Sequence, residues 1–553
     1  MKVVFVALGM EQLGISILSA VLKRAGHETA LVFDPALFHD RYYFDVPVLR
    51  DIFNRDDLVV DEIVAEDPDL IAFSVLTPTY TWCLDIARRA RERLGGVPVI
   101  FGGVHPSAVP EVCLENECVD FVCVGEGEAA IVELCDQLSR GVHRPAHPIA
   151  NLWWRDARGE TVRGETAPFF QDLDSLPYWD KQLWDGHFLV GNQYLTMTSR
   201  GCPYRCTFCF NNFFAKLPGR QPGKYVRQRS VDHVMGELCE AKSRYTLRWV
   251  DFQDDIFTVD KQWLQAFLGE YKREIGVRFQ CLVHPRYMDR EIAFWLRDAG
   301  CEHVQMGVQS ADEKFKRQVL LRLEKDSHLE SALEAMQAAG LELKLDHILG
   351  LPGEPESAQE AARSLYLRYP PRRIQTFWLT YLPGIDLTKQ ALAQGVLTES
   401  DIDDIERGSS RVFRHAHLGA RAEDAENFAR LKRYDVLFRL FPLLPRWARE
   451  RLRAEHIPNL SDRAASALGF AADLANATLR ADAETFVFAR HYAWQAWRQL
   501  PDVLLRGRRR RRRTSPYTRR QPRAAAVPPT SRPAAPRPPR RSLRVIDPAV
   551  AAR

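Results

Sequence analysis

Short apolar runs alternate with amphipathic stretches through most of the chain. Residues 3–8 are continuously apolar, 13–25 carry apolar residues at helical spacing and stop at Gly26 as a helix C-cap does, and 29–33 are apolar again. The same alternation predicts a helix near 56–66, a strand at 70–76, a helix at 80–94, strands at 97–101 and 121–124, and a helix from Glu128. Strands apolar on both faces and separated by helices predict a parallel sheet covered on both sides.

From 190 to 395 the alternation returns. Strands are predicted at 194–198, 247–253, 277–283, 303–309, 343–349 and 374–382, with helices at 230–243, 289–300 and 327–339 between them. Six strands in this order predict a partial (β/α)6 barrel, with functional groups at the strand C-termini. Between the two α/β regions, Trp153 and Trp154, a turn at 156–159 and the acidic stretch 172–177 predict a strand-turn-strand connector. Helical patterns dominate 423–452 and 462–500. The division is therefore 1–140, a Rossmann-like domain; 141–189, a connector; 190–395, the barrel; 396–505, a helical region; and 506–553, a tail.

Charge sharpens the last boundary. Sixteen arginines and one acid put the tail near +15 and the remainder near −11, which together make the net +4. Six consecutive arginines, 508–513, lead into a Pro/Ala/Arg segment that is expected to be disordered; it is either a plain solvated tail or a contact for nucleic acid or anionic membrane. Residues 438–449 interleave aromatic and basic side chains, which reads as a packed core helix or as a helix on a membrane surface. No apolar run reaches the ~20 residues that span a bilayer, and no signal-peptide pattern opens the chain. The lack of such a run predicts a protein soluble or at most peripheral to a membrane, and the eleven cysteines, which form no even disulfide framework, indicate a reducing cytoplasm.

Three of those cysteines carry the chemistry. Cys202, Cys206 and Cys209 stand in Ser199-Arg-Gly-Cys-Pro-Tyr-Arg-Cys-Thr-Phe-Cys-Phe210, directly after a predicted strand. Three soft thiolates at this spacing suit an iron–sulfur cluster or zinc. With three ligands, a [4Fe-4S] cluster keeps one iron open to an exogenous ligand, whereas structural zinc usually takes four protein ligands. Two further loops follow strands of the first domain: Phe101-Gly102-Gly103-Val-His105-Pro106 and Val124-Gly125-Glu126-Gly127-Glu128. Their glycines allow close backbone approach to a ligand, but neither is the dinucleotide fingerprint at the first strand.

The cysteine motif and its aromatic filling resemble the radical S-adenosylmethionine (SAM) enzymes, and the upstream loops resemble the cobalamin-binding domain that one large group of them carries. The resemblance covers roughly 1–400. It implies that Cys202, Cys206 and Cys209 ligate a [4Fe-4S] cluster, that SAM chelates the fourth iron, and that its reductive cleavage yields a 5′-deoxyadenosyl radical. It further implies Phe208 packed on the cofactor, Asp254 or Asp255 accepting the SAM amino group, Arg286 pairing with its carboxylate or with substrate, and Gln309 and Ser310 at the ribose and carboxylate. Gly350 and Tyr381 fall in the segments near adenine, and His284 is left open. Gly102, Gly103, His105, Gly125, Glu126 and Gly127 are the expected cobalamin-binding residues; the D-x-H-x-x-G motif that supplies a histidine to cobalt is absent.

The activity implied is C-methylation of an unactivated carbon in a small or lipid-like metabolite, with a flavodoxin or ferredoxin as electron donor. A radical cyclase or rearrangement enzyme without methyl transfer is the alternative. A methylthiotransferase is disfavoured, because Cys83, Cys113, Cys118, Cys123 and Cys135 do not make a second cluster site. A non-enzymatic metal- or nucleic-acid-binding protein is the reading of another class.

Overall fold

The computed structural model describes residues 1–509 apart from 41–43, 46, 142, 143, 146, 218–222, 410–421 and 480–482. The segment from 510 onward, expected to be disordered, lies outside the described residues.

The first sheet has seven strands in the order Glu28–Asp34, Lys2–Leu8, Leu70–Ser74, Val99–Gly102, Phe121–Cys123, Leu152–Arg155 and Thr161–Arg163. The first five are parallel. Strict alternation divides the first of these in sequence: Val3, Phe5 and Ala7 pack with helices Leu13–Arg24 and Glu128–Ser139, while Val4 and Val6 pack with Asp56–Ala65 and Tyr80–Leu94. The connector does not stand apart. Its two strands add antiparallel to the sheet edge, with Trp154 buried opposite Phe121, and so cover backbone groups that the fifth parallel strand would otherwise leave unpaired.

Six parallel strands form the second sheet in sequence order: Tyr194–Thr196, Val250–Phe252, Phe279–Val283, Cys301–Gln309, Glu342–Leu349 and Arg373–Trp378. This is the expected partial barrel. Helices Val231–Arg244, Lys261–Glu274, Arg290–Asp298, Asp326–Ala338 and Ser357–Arg368 alternate with the strands.

The predicted helix over 423–452 ends at Leu440, because Pro442 and Pro445 interrupt it, and a short helix Arg446–Arg451 follows. The pattern over 462–500 resolves into Asp462–Leu479 and Ala483–Arg509. Leu437, Phe438 and Phe441 are completely buried, so the stretch 438–441 packs as core, while Arg446 and Trp447 farther along are exposed. Helix Ala422–Leu440 covers the outer face of the last barrel strand, where Thr376 and Trp378 donate to Asp435 at 2.5 and 3.3 Å. Among the described residues no helix is long and apolar enough to cross a membrane.

Candidate active site

The cysteine loop leaves the first barrel strand through Ser199–Arg200, which pairs antiparallel with Arg227–Gln228. Gly201 turns the chain at φ +88, and a Cβ there would lie 2.3 Å from the Tyr225 carbonyl oxygen. Cys206 is buried and Cys202 and Cys209 are partly exposed, all three beside Phe208, Ile256 and Tyr287. Burial pushes the Cys202 thiol up to about 12 and Cys206 up to about 11, and raises Cys209. The loop thus holds three protonated thiols until a metal replaces the protons.

Among the described residues, one group of three ligand atoms lies within 4.8 Å of one another, and it is Glu302, His303 and Glu342. The Glu302 group lies toward the opposite ends of the strands. Arg372 pairs with Glu342 and Arg278 with Glu302 at 2.9 Å, making an ion-pair floor.

Asp254 is not placed to receive SAM. Its carboxylate is completely buried and accepts from Thr198 N at 3.0 and 3.1 Å, Thr198 Oγ1 at 2.7 Å and Ser199 Oγ at 2.5 Å, so it braces the start of the cysteine loop. Asp255 is exposed at the mouth and accepts from Asn211 Nδ2 at 2.8 Å. Arg286 is exposed on the turn Pro285–Tyr287. His284 is buried and stacked on Tyr204 with ring centroids 4.0 Å apart.

Beyond His284 lies a pair that the sequence reading missed. Buried Arg322 donates to Glu324 at 2.6 Å and to the Gly307 carbonyl at 2.9 Å, and its charge opposes the rise in the Cys206 thiol. Burial works against ionised Glu324, but the His284 contact and Arg322 outweigh it and pull the carboxyl down to about 2. Arg322 sits between helices in a stretch without a motif, so only the three-dimensional fold brings it to the cluster loop.

Gln309 ends the fourth barrel strand at φ +65, a left-handed conformation costly for a side chain of its size, and remains partly exposed. Ser310 is completely buried and donates to Glu354 Oε1 at 2.5 Å, so its hydroxyl is not available to SAM. Glu354 Oε2 accepts from Gln359 Nε2 at 2.8 Å. Gln359 Oε1 then takes the Nε2 proton of His347 at 2.8 Å, which leaves His347 Nδ1 to accept from Tyr366 at 2.9 Å. Burial pushes Glu354 up to about 7 and His347 down to about 4.

Phe208 reaches Ile348 and Leu351 of the next strand end, joining it to the cysteine loop. Gly350 follows that strand at φ +82, and Tyr381 is buried against Leu397 and Ile405.

In the first domain, Gly102, Gly103, Gly125 and Gly127 lie partly exposed at adjacent strand ends. At Gly103, φ +103, an added Cβ would sit 2.9 Å from the Val75 carbonyl oxygen. Ser107 ties the two loops, donating to Gly103 O at 2.7 Å and accepting from Gly125 N at 3.0 Å. Bare backbone with exposed Leu76 alongside fits a large ligand that approaches the main chain closely.

Two expected cobalamin contacts are corrected. His105 is completely buried, packed at a tilt against Tyr80 with ring centroids 4.3 Å apart and Nδ1 3.2 Å from Thr77 Oγ1, and burial pushes it down to about 4. Glu126 spends its carboxylate on the barrel: Oε1 accepts from Arg200 at 3.0 Å and Arg227 at 2.8 Å, and Oε2 from Phe170 N at 2.8 Å. Glu128 joins it on Arg200 at 2.7 Å. The helix after the last cysteine, Phe210–Ala215, also crosses to the first domain, where Phe213, Phe214 and buried Leu217 pack into its core.

Comparison with known proteins supports both halves. The family described as B12 binding domain matches residues 3–135, and the radical SAM superfamily matches 196–365. An uncharacterized methyltransferase of Pyrococcus horikoshii is 28% identical over 60% of this chain and 71% of its own. Cytidylyl-2-hydroxyethylphosphonate methyltransferase of Streptomyces wedmorensis is 24% identical over 65% and 72%. Anaerobic magnesium-protoporphyrin IX monomethyl ester cyclase of Rubrivivax gelatinosus is 22% identical over 67% and 64%. The solved structure of OxsB, a cobalamin-dependent SAM radical enzyme with aqua-cobalamin bound, shares the fold at a TM-score of 0.59 and 14% identity, over 91% of this chain and 81% of its own.

Proposed function

From the premise that the chain is a radical SAM enzyme with an N-terminal B12-binding domain, we propose that it transfers a methyl group to an unactivated carbon of a small molecule. When bound, the [4Fe-4S] cluster with SAM supplies a radical that abstracts hydrogen, and cobalamin supplies the methyl carrier.

The observation that carries this reading is the direct attachment of the glycine loops of the first domain to the cysteine loop. Arg200, two residues before Cys202, is held by Glu126 and Glu128, which flank Gly127. Two cofactor sites that must act on one carbon need a fixed separation, and ion pairs shielded from water supply it. Asp254 holds the start of the cysteine loop, and the glycine strand ends present partly exposed backbone to the carrier. An electron donor of the flavodoxin or ferredoxin type completes the proposal.

A second reading, radical cyclisation without methyl transfer, is favoured by the similarity to the magnesium-protoporphyrin cyclase and uses the same residues. Two measurements test the proposal, and the second separates the readings. Protein purified without oxygen from cobalamin-supplied cells is expected to carry cluster iron, acid-labile sulfide and one cobalamin per chain. Turnover is expected to form S-adenosylhomocysteine together with 5′-deoxyadenosine. A cluster without cobalamin, or turnover without S-adenosylhomocysteine, sinks methyl transfer.

A further inference from the structure

The inner side of the barrel says what kind of molecule it receives. Side-chain direction follows from the covering helices. Thr376 reaches Asp435, His347 reaches Tyr366, and Met306 and Val308 are buried in the helical layer; Gln375, Asp346 and Gln305, at alternating positions, therefore face the lumen. The same alternation turns Asp251, Gln280 and Lys344 inward, opposite buried Phe252, Phe279 and Leu345. Parallel barrels normally fill this space with bulky branched side chains. Here it holds two carboxylates, an ammonium group and several amides.

These groups are organised in depth. Asp251, Gln280 and Lys344 are buried; Gln193 donates to Asp251 at 2.9 Å, and Lys344 to Gln280 at 3.3 Å. One level nearer the mouth, Gly307, Asp346 and Gln375 lie side by side across three strands and all keep accessible surface, although their outward neighbours keep almost none. Gly307 adds no side chain at that level, and the amide of Gln309, two residues on, and the guanidinium of Arg322 fold over the place its Cβ would take. Gln305 Nε2 lies 3.0 Å from both oxygens of Asp346 and orients the carboxylate, which keeps part of its surface accessible beside the charges of Arg322, Arg373 and Lys344.

We propose that Asp346, oriented by Gln305 in this lumen, binds a hydroxyl or amine of a polar metabolite, so that the substrate is not a hydrocarbon-like lipid. The proposal rests on the reading of the barrel mouth as the seat of the radical chemistry, and it narrows the small or lipid-like class expected from sequence. A hydrocarbon would strip water from these groups and return no hydrogen bond. Sites built to bond a polar substituent reject the analogue lacking it by factors on the order of 10⁴. Burial pushes Asp346 up to about 6, which leaves it mostly ionised at neutral pH.

The test uses three probes of one shape on the cluster-loaded, SAM-bound protein: cyclohexylamine, cyclohexanol and methylcyclohexane, followed by saturation-transfer NMR. The amine and the alcohol are expected to bind saturably and the hydrocarbon not. Asp346→Leu is expected to abolish both signals. The shape-conserving Asp346→Asn should weaken the amine by roughly tenfold and the alcohol by no more than about threefold, a charge signature that general loosening would not produce. Tighter binding of the hydrocarbon, binding indifferent to Asp346, or no response from any probe at the millimolar concentrations that fragments of this size require each overturns the proposal. Iron and cobalamin measured on the same samples report separately on the methyl-transfer reading.

Discussion

Arg200 grips two carboxylates of one loop, with Nη2 2.7 Å from Glu128 Oε1 and Nη1 3.0 Å from Glu126 Oε1. The loop belongs to the first sheet and the arginine to the barrel, so this guanidinium joins the two, with Arg227 beside it on Glu126. It sits mostly out of solvent, and both partners are largely buried. Breaking such a pair from one side leaves charge stranded, at a cost of about 3–5 kcal/mol. Arg200→Met is therefore expected to lower the unfolding midpoint strongly and to reduce iron per chain. An unchanged midpoint would show the contact to be incidental.

Asp254 makes a second prediction. Asp254→Ala strands the Thr198 and Ser199 donors, each worth about 1–3 kcal/mol when buried without a partner. Because those residues lead into Gly201 and Cys202, cluster occupancy should fall, as read from iron and sulfide content. Asp254→Asn keeps an acceptor and should lose less. Equal occupancy in the alanine variant and the wild type would contradict the bracing role.

Cys206→Ala removes one of the three thiols and is expected to abolish SAM cleavage while leaving the unfolding free energy of the metal-free protein within about 1 kcal/mol of wild type, since the metal-free thiol makes few polar contacts. Retained cleavage would refute the cluster assignment.

The barrel was legible because its strands alternate with helices at regular spacing, and the cysteine loop because its three ligands are local in sequence. What escaped was of another kind. Glu126 reads as a ligand-binding residue in a glycine loop, and nothing in its own neighbourhood names Arg200 or Arg227, 74 and 101 residues away. Segment 438–449 has the composition of a surface helix, yet Phe438 packs beneath it on Tyr366, a partner no local pattern reveals. One signal was present and unread: in Glu342-Leu-Lys-Leu-Asp346 polar residues alternate with leucine, whereas a strand of a packed parallel barrel should be apolar on both faces.

Stability should fall as pH rises through the weakly acidic range. Burial pushes Glu354 up from 4.5 to about 7, so the folded state holds a proton that the unfolded chain has released. Its contribution is greatest below the unfolded value and is lost as pH climbs through about 7, roughly 3 kcal/mol in all. Asp346, raised to about 6, acts in the same direction. Urea midpoints measured near pH 5 and pH 8 should therefore differ in the wild type and differ less in Glu354→Gln. Parallel profiles for the two proteins would show that Glu354 is not the group responsible.

Phe213, Phe214 and Leu217 leave the cysteine loop and finish the core of the other domain. Two families recognisable as separate stretches of sequence are in this way interlocked like a mortise and tenon. A hybrid that grafted a foreign first domain onto this barrel would have to supply a socket for three apolar side chains and a pair of acids for Arg200. The two halves are thus one heritable block, and exchange between relatives is restricted to partners whose surfaces already match.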